Sequence, residues 1–411
     1  MRSMNYVLFY DQAVDLHFPP HYRDVYLDRL PHEHDRMRGL FFCRDHGSEQ
    51  VRQLKSAGHV VLGKERPWGA WGRWRYSRRF GKSFQQLIMQ ALEANDDPVT
   101  VIVHDDPWAA QVALDARQRH QDRIRVIYRI GNLKPEGLLR LSRHPLVHLM
   151  ARLAGRWRDR MINRADAVIF MSDEMRRYLV EDRGVRPVRQ AVIPSLVDCN
   201  AIETSLQSSR EQDVMALSAS LEEDRRWIVY AGDVSRGRNM PFLLEMMTHL
   251  RSLAPDVGLL ILGNYPDPSY REQLLVQARS DCPDTSIHLV GPFSPDSYYQ
   301  ALQLADVAVN PFPPIGDHLT NSPVKCMDYQ ATGLPTIATR IPDHELVLGE
   351  TGLGTICDYS ATEFAKACVD WLGDRTIDRG RAKQWMSQHR DLQVAVETIR
   401  LLAESERDGF Q

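Results

Sequence analysis

Short runs of apolar residues alternate with longer amphipathic segments along the whole chain. The apolar runs predict strands at residues 6–10, 40–43, 59–62, 99–104, 124–130 and 167–171, and again at 227–231, 258–262, 287–290, 307–310 and 336–338. Helical segments lie between them, among them residues 50–57, 108–120 and 145–164. Continuous apolar strands separated by helices are typical of parallel sheets that are covered on both faces. The pattern therefore predicts an α/β protein.

A polar stretch divides this pattern into two halves of similar size. With 411 residues, the chain is too long for one ordinary hydrophobic core. We expect an N-terminal domain over residues 1–200, a linker with one helix over 201–224, and a C-terminal domain over 225–387. In the second half, the alternation of strands and helices predicts a doubly wound parallel sheet.

Composition narrows the class of protein. A hydrophobic content of 43% and a charged content of 26% are values of globular proteins. Six cysteines without a C-x-x-C pair indicate reduced thiols and a cytoplasmic protein. Neither a basic leader followed by an apolar run nor an apolar stretch of about 18 residues occurs. We therefore expect a cytoplasmic protein that is soluble or peripheral on the inner face of the cell membrane.

The net charge of −3 hides a difference between the halves. Residues 1–200 carry 33 Lys and Arg against 24 Asp and Glu, whereas residues 201–411 carry 18 against 30. A basic half joined to an acidic half predicts that only the first half faces an anionic partner. The candidates are a membrane surface, a phosphate-bearing acceptor and nucleic acid.

One segment of the basic half, residues 66–82, interleaves tryptophan with arginine. Tryptophan favours the headgroup level of a bilayer and arginine is attracted by anionic lipid, so the segment is a candidate for membrane contact. The alternative is that the tryptophans pack inside the domain. No fold signature of nucleic-acid binding accompanies the segment, and nucleic acid is not predicted as a partner. The residues concerned are Trp68, Trp71, Trp74, Arg73, Arg75, Arg78 and Arg79.

The most informative stretch runs from residue 321 to 339. Ser322 and Pro323 predict the start of a short helix, and Gly333 predicts its left-handed end. Lys325 and Asp328 are three residues apart and project from one face near the helix N-terminus, where the N–H dipoles favour an anion. This arrangement can cradle a nucleoside diphosphate, with the lysine on phosphate and the carboxylate on ribose hydroxyls. An ordinary surface ion pair is the alternative.

Other candidate residues follow predicted strands, where ligands of open α/β sheets bind. In the first half these are His104, Asp105 and Asn132, and in the second half a glycine turn at Gly232 is followed by Arg236 and Arg238. No metal site is predicted, because the His and acidic residues at 32–35 are adjacent and adjacent residues rarely converge on one ion.

The stretch S-P-V-K-C-M-D-Y-Q-A-T-G-L-P resembles the nucleotide-sugar signature S-P-x-K-x-x-E-Y-x-A-x-G-x-P of retaining, GT4-like glycosyltransferases (glycosyl transferases group 1). The segment R-A-D-A-V-I-F-M-S-D-E and the later V-I-P-S-L-V-D resemble R-A-D-A-V-I-x-V-S-E and V-I-P-N-G-V-D of the same family. The resemblance covers most of residues 95–375. It implies a GT-B fold, in which two Rossmann-like domains face each other across a cleft and a C-terminal helix, about 388–411, packs back on the N-terminal, acceptor-binding domain.

The resemblance also assigns roles to residues. It implies that Arg238 and Lys325 act in catalysis on the diphosphate, and that His104, Asp105 and Asn132 lie on the acceptor or sugar side. No metal or other cofactor is implied. The chain departs from the family at Asp233, at Gly131, where relatives often have histidine, at Thr320, where a first carboxylate is missing, and at Asp328, which replaces glutamate. The implied donor-binding residues are Gly232, Arg236, Gly263, Gly291, Phe293, Ser322, Pro323 and Asp328.

Taken with this resemblance, the chain is expected to be a retaining glycosyltransferase that uses a nucleoside diphosphate sugar. Its acceptor is expected to be a saccharide, in particular a lipid-linked or polysaccharide precursor at the cytoplasmic membrane face, as in polysaccharide biosynthesis. Two alternatives remain open. One is a sugar-nucleotide epimerase with the GT-B fold, and the other is a non-catalytic partner subunit that keeps the fold.

Overall fold

The computed structural model describes residues 4–14, 23–32, 35–63, 69–94, 96–120, 123–282, 286–373 and 378–404, without the side chains of residues 69–77, 237 and 317. The chain forms two compact units. The first unit consists of Met1–Pro194 with Leu392–Gln411, and the second unit of Ser195–Asp391.

Seven parallel strands form the sheet of the first unit. They are β1 (Asn5–Ala13), β2 (Arg36–Cys43), β3 (Val60–Gly63), β4 (Val99–His104), β5 (Ile124–Ile130), β6 (Ala167–Phe170) and β7 (Gln190–Val192). Their order is β3-β2-β1-β4-β5-β6-β7. The direction of winding therefore reverses between β1 and β4, where Phe9 pairs with Val103. Ligands of open α/β sheets bind at the strand carboxyl ends beside such a reversal.

Helices cover this sheet because its strands are apolar on both faces; all six residues of β4 are buried. Asp106 begins the helix that follows β4 by accepting a hydrogen bond of 2.8 Å from the N–H of Ala109, and Pro107 occupies the first turn of this helix. Two π-helical segments, Asp24–Arg29 and Tyr178–Asp182, complete the unit. The helices are α1 (Glu49–Ser56), α2 (Gly69–Glu93), α3 (Pro107–Arg119), α4 (Lys134–Leu141), α5 (Pro145–Ile162) and α6 (Asp173–Arg177).

The second unit is built on a parallel sheet of six strands. They are β8 (Arg226–Ala231), β9 (Val257–Leu262), β10 (Ile287–Val290), β11 (Val307–Asn310), β12 (Thr336–Thr339) and β13 (Gly354–Cys357). Their order is β10-β9-β8-β11-β12-β13, so the winding reverses between β8 and β11. The carboxyl end of β8 therefore lies at the position where a ligand is expected.

The helices of the second unit lie on both faces of this sheet, and two short 3₁₀ segments, Arg236–Arg238 and Gly316–Thr320, lie in its loops. The helices are α7 (Cys199–Gln207), α8 (Gln212–Ser220), α9 (Pro241–Arg251), α10 (Pro268–Asp281), α11 (Pro295–Leu302), α12 (Val324–Ala331), α13 (Pro342–Thr351), α14 (Ala361–Leu372) and α15 (Arg379–His389).

The stretch that was expected to be a linker with one helix forms both α7 and α8 instead. Ile202 and Val214 are buried, and the carboxamide of Gln300 bonds the backbone of residues between the two helices. The polar composition of this stretch hides two apolar faces that pack on the second unit. Residues 201–224 therefore belong to that unit.

The last helix, α16 (Leu392–Glu404), belongs to the first unit. Its apolar face is buried, including Val396 and Ile399. The guanidinium of Arg400 donates hydrogen bonds of 2.9 Å and 2.8 Å to the carbonyls of Arg29 and Leu30. These bonds satisfy carbonyls at the end of the Asp24–Arg29 segment.

The predicted α/β class and the GT-B type of fold, with two Rossmann-like parallel sheets, are confirmed. The strands β7 and β13 were not predicted. Both lie at sheet edges and have only three or four residues. An edge strand is partly exposed and needs no continuous apolar run, so the hydrophobic pattern gives little sign of it.

Candidate functional site

The helix α12 carries the two charged residues that the sequence singles out. Lys325 is its second residue and Asp328 its fifth, while Pro323 stands at the N-cap. At the other end Gly333 has a φ of +73°, so the predicted left-handed turn is present. The helix begins at the predicted place, but Ser322 does not cap it, because the N-cap is Pro323 and no side-chain hydrogen bond caps this end.

Ser322 instead joins a buried network. Its hydroxyl donates to a carboxylate oxygen of Asp343 at 2.7 Å and accepts from the N–H of Ser195 at 2.9 Å. The hydroxyl of Ser195 bonds the carbonyl of Ser322 in return. Arg390 pairs with Asp343 at 2.7 Å, and both side chains are at most 5% exposed. The hydroxyl of Ser322 is thus committed to protein partners that hold the start of α12 in place.

The ammonium of Lys325 lies at the carboxyl end of β8. It donates a hydrogen bond of 2.6 Å to the hydroxyl of Tyr230 and lies 4.2 Å from the centre of that ring. Gly232 makes room for it, because a Cβ atom there would lie 2.1 Å from Cε and 2.4 Å from Nζ of Lys325. The predicted pair Gly232 and Lys325 is therefore in direct contact.

The pKa of Lys325 is lowered to about 7, because burial and then the charge of Arg238 lower it by more than Asp233 and Asp328 raise it. Neither Lys325 nor Arg238 forms an ion pair with a carboxylate among the described residues. Two basic side chains therefore lie near each other, and no ion pair with a carboxylate of the described residues neutralises either of them. Such a site favours an anion.

Asp328 is buried on the next turn of α12. Its pKa is raised to about 7, because burial outweighs the lowering by a hydrogen bond of 3.1 Å from the hydroxyl of Tyr298 and by the charge of Lys325. The neighbouring Tyr329 accepts a hydrogen bond of 2.8 Å from the N–H of Ala231. Since Ala231 ends β8, this bond ties α12 to the strand that carries Tyr230. The predicted Asp328 is thereby held beside Lys325.

The two arginines of the turn after β8 behave differently. The charge of Arg238 acts on both Lys325 and Tyr230, so this residue lies within electrostatic range of them. Arg236 is directed to α10 instead: it lies 3.6 Å from the carboxylate of Asp267 and stacks 4.7 Å above the ring of Tyr270. The structure brings Arg238, but not Arg236, to the lysine.

The other predicted donor-side residues lie at the ends of neighbouring strands. A Cβ atom at Gly263, after β9, would lie 2.2 Å from the carbonyl oxygen of Gly232. One at Gly291, after β10, would lie 2.6 Å from the carbonyl oxygen of Gly263. Phe293 is partly buried against the apolar cluster beneath them. Three strand ends are thus packed without side chains between them, which brings their backbones close to the site of Lys325.

In the first unit the residues predicted on the acceptor side also converge, at the reversal between β1 and β4. Asp105 has a φ of +59° and accepts hydrogen bonds from the N–H of Gly131 at 2.6 Å and from the side chain of Asn132 at 2.9 Å. A Cβ atom at Gly131 would lie 3.4 Å from the imidazole of His104. His104 therefore lies directly beside the position where the family often has histidine.

Burial lowers the pKa of His104 to about 4, so the imidazole is neutral at pH 7. Its Nδ1 lies 4.0 Å from Asp11 and 3.8 Å from Asp105. Lys134 lies 2.5 Å from Asp11 and 3.7 Å from Asp105, and the two carboxylates raise its pKa against the effect of burial. Asp11, His104 and Asp105 offer ligand atoms within 4.8 Å of one another. The charges of Arg129 and Lys134 both act on His104, so positive charge already lies next to these ligand atoms.

Part of the predicted membrane segment lies outside the described residues. Trp68, which precedes α2, is not described, and neither are the side chains of four residues in the first turns of α2, Trp71, Trp74, Arg73 and Arg75. In the segment 32–35, Glu33 and His34 are also outside the described residues. Arg78 and Arg79 are described and exposed. In the part of the chain that the structure describes, no helix is both long enough and apolar enough to pass through a bilayer.

Sequence reasoning missed four residues that these two sites contain: Tyr230, Tyr298, Asp11 and Lys134. Tyr230 ends an apolar strand immediately before the glycine turn, and a hydroxyl at that position is a usable signal. Asp11 likewise lies near the end of β1, which extends further than predicted. Nothing local marks Tyr298, which reaches Asp328 from a helix thirty positions earlier.

Two models of glycosyltransferase families match the chain, one in each half. Residues 27–195 match the family of glycosyl transferase 4-like domains, and residues 225–374 match glycosyl transferases group 1. Together the two ranges cover more than half of the chain. No curated protein sequence matches it.

Solved structures with the same fold cover nearly the whole chain. Apo OtsA superposes with a TM-score of 0.71 at 12% identity over 98% of this chain and 100% of its own. Sucrose-phosphate synthase of Thermosynechococcus elongatus gives 0.69 at 14% identity over 98% of each chain. HepE of Anabaena, in complex with UDP and glucose, gives 0.66 at 15% identity over 98% and 99%. With both of its halves matched, the chain belongs to the GT4-like, group 1 glycosyltransferases with the GT-B fold.

Proposed function

We propose that this glycosyltransferase uses a nucleoside diphosphate sugar and that the second unit binds it. One observation carries the proposal: the half-buried ammonium of Lys325 lies at the start of α12, within electrostatic range of Arg238, and neither forms an ion pair with a described carboxylate. A diphosphate supplies the negative charge that such a site favours. The uncapped N–H groups at the start of α12 add to the attraction.

In this proposal the carboxylate of Asp328 accepts hydrogen bonds from the ribose hydroxyls. Its position on the same helix face as Lys325 supports that role. Gly232, Gly263 and Gly291 let the nucleotide approach the backbone at the strand ends. Phe293 provides an apolar surface near the base, and Pro323 sets the start of the phosphate-binding helix.

Cleavage of the anomeric bond transfers negative charge to the departing diphosphate and leaves an oxocarbenium-like sugar. Lys325 and Arg238 stabilise the leaving group because both side chains lie where that charge develops. A protonated lysine is required, and the diphosphate itself raises the pKa of Lys325 from about 7 by its negative charge. The charges of these two residues and the helix N-terminus make a metal unnecessary in this proposal. Retention of the anomeric configuration rests on the family resemblance.

The acceptor side is proposed to lie at the cluster of His104, Asp105 and Asn132. The neutral imidazole of His104 can accept or donate a hydrogen bond to a sugar hydroxyl. The basic character of the first half supports an acceptor that carries phosphate, such as a lipid-linked saccharide at the cytoplasmic membrane face. Two related folds support a uridine nucleotide as the first donor to try: HepE was solved with UDP and glucose, and an Escherichia coli neighbour with UDP-2-fluoro glucose.

A thermal-shift panel of UDP, GDP, ADP and dTDP tests nucleotide binding, since a ligand that binds only the folded state raises its stability. We expect one nucleotide to stabilise the wild type and to lose this effect in Lys325→Ala. Lys366→Ala, at an exposed lysine of α14, is the control and should respond as the wild type does. If no nucleotide stabilises the wild type, the proposed donor is wrong.

Turnover is tested with a donor that carries a sugar on the nucleotide found in the thermal-shift panel. Transfer of labelled sugar from the donor to solvent-extractable lipid is expected for the wild type and should be lost in Lys325→Ala. The anomeric configuration of the product, read by NMR, tests retention directly. Release of an epimerised sugar nucleotide without transfer would favour the epimerase over the transferase.

A further inference from the structure

The helices α4 and α5 expose a concentration of large apolar side chains. Fourteen large hydrophobic side chains are exposed among the described residues, and six of them lie between positions 138 and 153. We call the surface that they form the α4–α5 surface. Its members are Leu138 (49% exposed), Leu141 (74%), Leu146 (65%), Leu149 (54%), Met150 (54%) and Leu153 (54%).

The spacing on α5 places four of these residues in one stripe. Leu146, Leu149, Met150 and Leu153 follow the pattern i, i+3, i+4, i+7, which is one face of a helix. The buried residues of α5, among them Ala151 and Gly155, lie on the opposite side. A helix that packs on a core normally buries its apolar stripe. Here α5 packs on the core through its other face, which includes Met161 and Ile162, and leaves the leucine stripe outside.

Basic residues flank the stripe. Between Gly137 and Arg158 the chain contains no Asp or Glu. Arg152 and Arg156, four residues apart, run along one side of the stripe, as expected from the helical repeat. The exposed arginines of this region are Arg140, Arg143, Arg152, Arg156 and Arg160.

The acidic residues that flank this segment in the sequence, Glu136 and Asp159, form ion pairs with Arg158 and Arg183. Glu136 pairs with Arg158 through two hydrogen bonds of 2.8 Å and 2.9 Å. Asp159 pairs with Arg158 at 2.8 Å and with Arg183 at 2.5 Å. These pairs fix α4 against α5 and remove the negative charge from the region. The α4–α5 surface is therefore both apolar and positively charged.

We propose that the α4–α5 surface binds an anionic lipid membrane. The leucine stripe enters the boundary between headgroups and acyl chains, and the flanking arginines contact lipid phosphates. The charge selects this occupant over a second copy of the chain, since two copies joined here would bring their arginines together. The surface contains none of the residues 66–82, and its binding needs neither donor nor acceptor, so it does not rest on the proposed function.

Vesicle sedimentation with the full-length chain tests the proposal. The vesicles are phosphatidylcholine alone or phosphatidylcholine mixed with phosphatidylglycerol. Two double variants probe the surface, Leu149→Ser with Leu153→Ser and Arg152→Gln with Arg156→Gln. Matched controls at exposed positions of the second unit are Leu253→Ser with Val276→Ser, and Arg210→Gln with Arg279→Gln. Circular dichroism establishes that each variant is folded.

We expect the wild type to bind the anionic vesicles only, and each surface variant to bind about tenfold more weakly. The controls should bind within about twofold of the wild type. Absence of wild-type binding overturns the proposal. The proposal is also overturned if the surface variants bind the anionic vesicles as well as the wild type does. It is overturned too if only a variant with Trp71 and Arg75 replaced loses binding. A wild-type dimer that either surface variant converts to monomer would assign the surface to a second copy instead. Nucleotide binding is measured in the same variants. If both surface variants still bind the nucleotide, their loss of vesicle binding does not come from a damaged donor site.

Discussion

The side chain of Lys325 fills the space that a Cβ atom at Gly232 would need. That atom would lie 2.1 Å from Cε and 2.4 Å from Nζ of the lysine. Gly232 also has a φ of +137°, a conformation that other residues rarely adopt. A glycine after β8 is therefore what allows the ammonium to reach Tyr230.

Gly232→Ala is expected to displace Lys325 and to weaken nucleotide binding about tenfold or more, because a charged hydrogen-bond donor leaves the site. The flexible end of the lysine can move away, and the φ of +137° strains an alanine, so we expect some loss of stability and a larger effect on binding. Titration calorimetry with UDP, or with the nucleotide that the panel identifies, measures the effect. Gly349→Ala, where nothing lies within 4 Å, should bind normally.

Gly263→Ala should show the opposite balance. Its Cβ atom would lie 2.2 Å from the backbone oxygen of Gly232, and a backbone cannot move aside as a lysine can. We expect a loss of about 1–3 kcal/mol in the free energy of unfolding, measured by thermal or denaturant unfolding. A Gly263→Ala variant as stable as the wild type would show that the strand ends are less tightly packed than described.

Lys325→Met is expected to abolish turnover and yet to raise stability. The pKa of Lys325 falls from its ordinary 10.5 to about 7 on folding. Below pH 7 both states carry the charge, and the folded state bears its full burial penalty. Between pH 7 and 10.5 the unfolded state binds a proton that the folded state lacks, so wild-type stability rises with pH. The gain from methionine, about 1–3 kcal/mol, should therefore be complete at pH 6.5 and smaller at pH 9.

Thermal unfolding of wild type and Lys325→Met at these two pH values checks this prediction. Lys366→Met, at an exposed lysine, should bring no gain at either pH. A Lys325→Met protein that is less stable than the wild type at pH 6.5 would mean that the ammonium is well solvated in the folded chain.

Tyr298→Phe should change how nucleotide affinity depends on pH. The hydroxyl of Tyr298 donates to Asp328 and so holds the pKa of this carboxyl down to about 7 against burial. Without it the pKa rises, and the ionised carboxylate that accepts the ribose hydroxyls appears only at higher pH. We expect affinity about threefold to tenfold weaker at pH 7, recovering at pH 8.5. In Asp328→Asn the nucleotide affinity should no longer change with pH over this range. Identical curves of affinity against pH for the wild type and Tyr298→Phe would exclude a role for Asp328 in binding.

Ser322→Ala should reduce stability while leaving nucleotide affinity nearly unchanged. The hydroxyl bonds Asp343 and Ser195 inside the second unit, and its loss leaves buried groups unsatisfied at a cost of about 1–3 kcal/mol. Affinity should change less than about threefold. This pattern is the reverse of that expected for Lys325→Met. A tenfold loss of affinity without loss of stability would instead place Ser322 on the donor, as the family resemblance implies.

How far the sequence predicts the molecule depends on the range of the interactions. The apolar runs of β4 and β8 and the helix with Lys325 and Asp328 follow from local periodicity and spacing, and the structure contains them. The role of Ser322 could not be predicted, because its partner Ser195 lies 127 positions away. The same holds for Lys134, whose partner Asp11 lies 123 positions earlier. Local pattern shows which residues are available, whereas packing decides which of them meet.

Binding of the donor diphosphate by Lys325 should be visible as a change in protonation. Calorimetry of UDP binding at pH 8, in buffers of different ionisation enthalpy, measures this change. With a pKa of about 7, Lys325 is mostly neutral in the unliganded chain at this pH, and the diphosphate should restore its charge. We predict uptake of close to one proton by the wild type and none by Lys325→Met, together with weaker binding. Binding without proton uptake, or the same uptake in Lys325→Met, would contradict this role of Lys325.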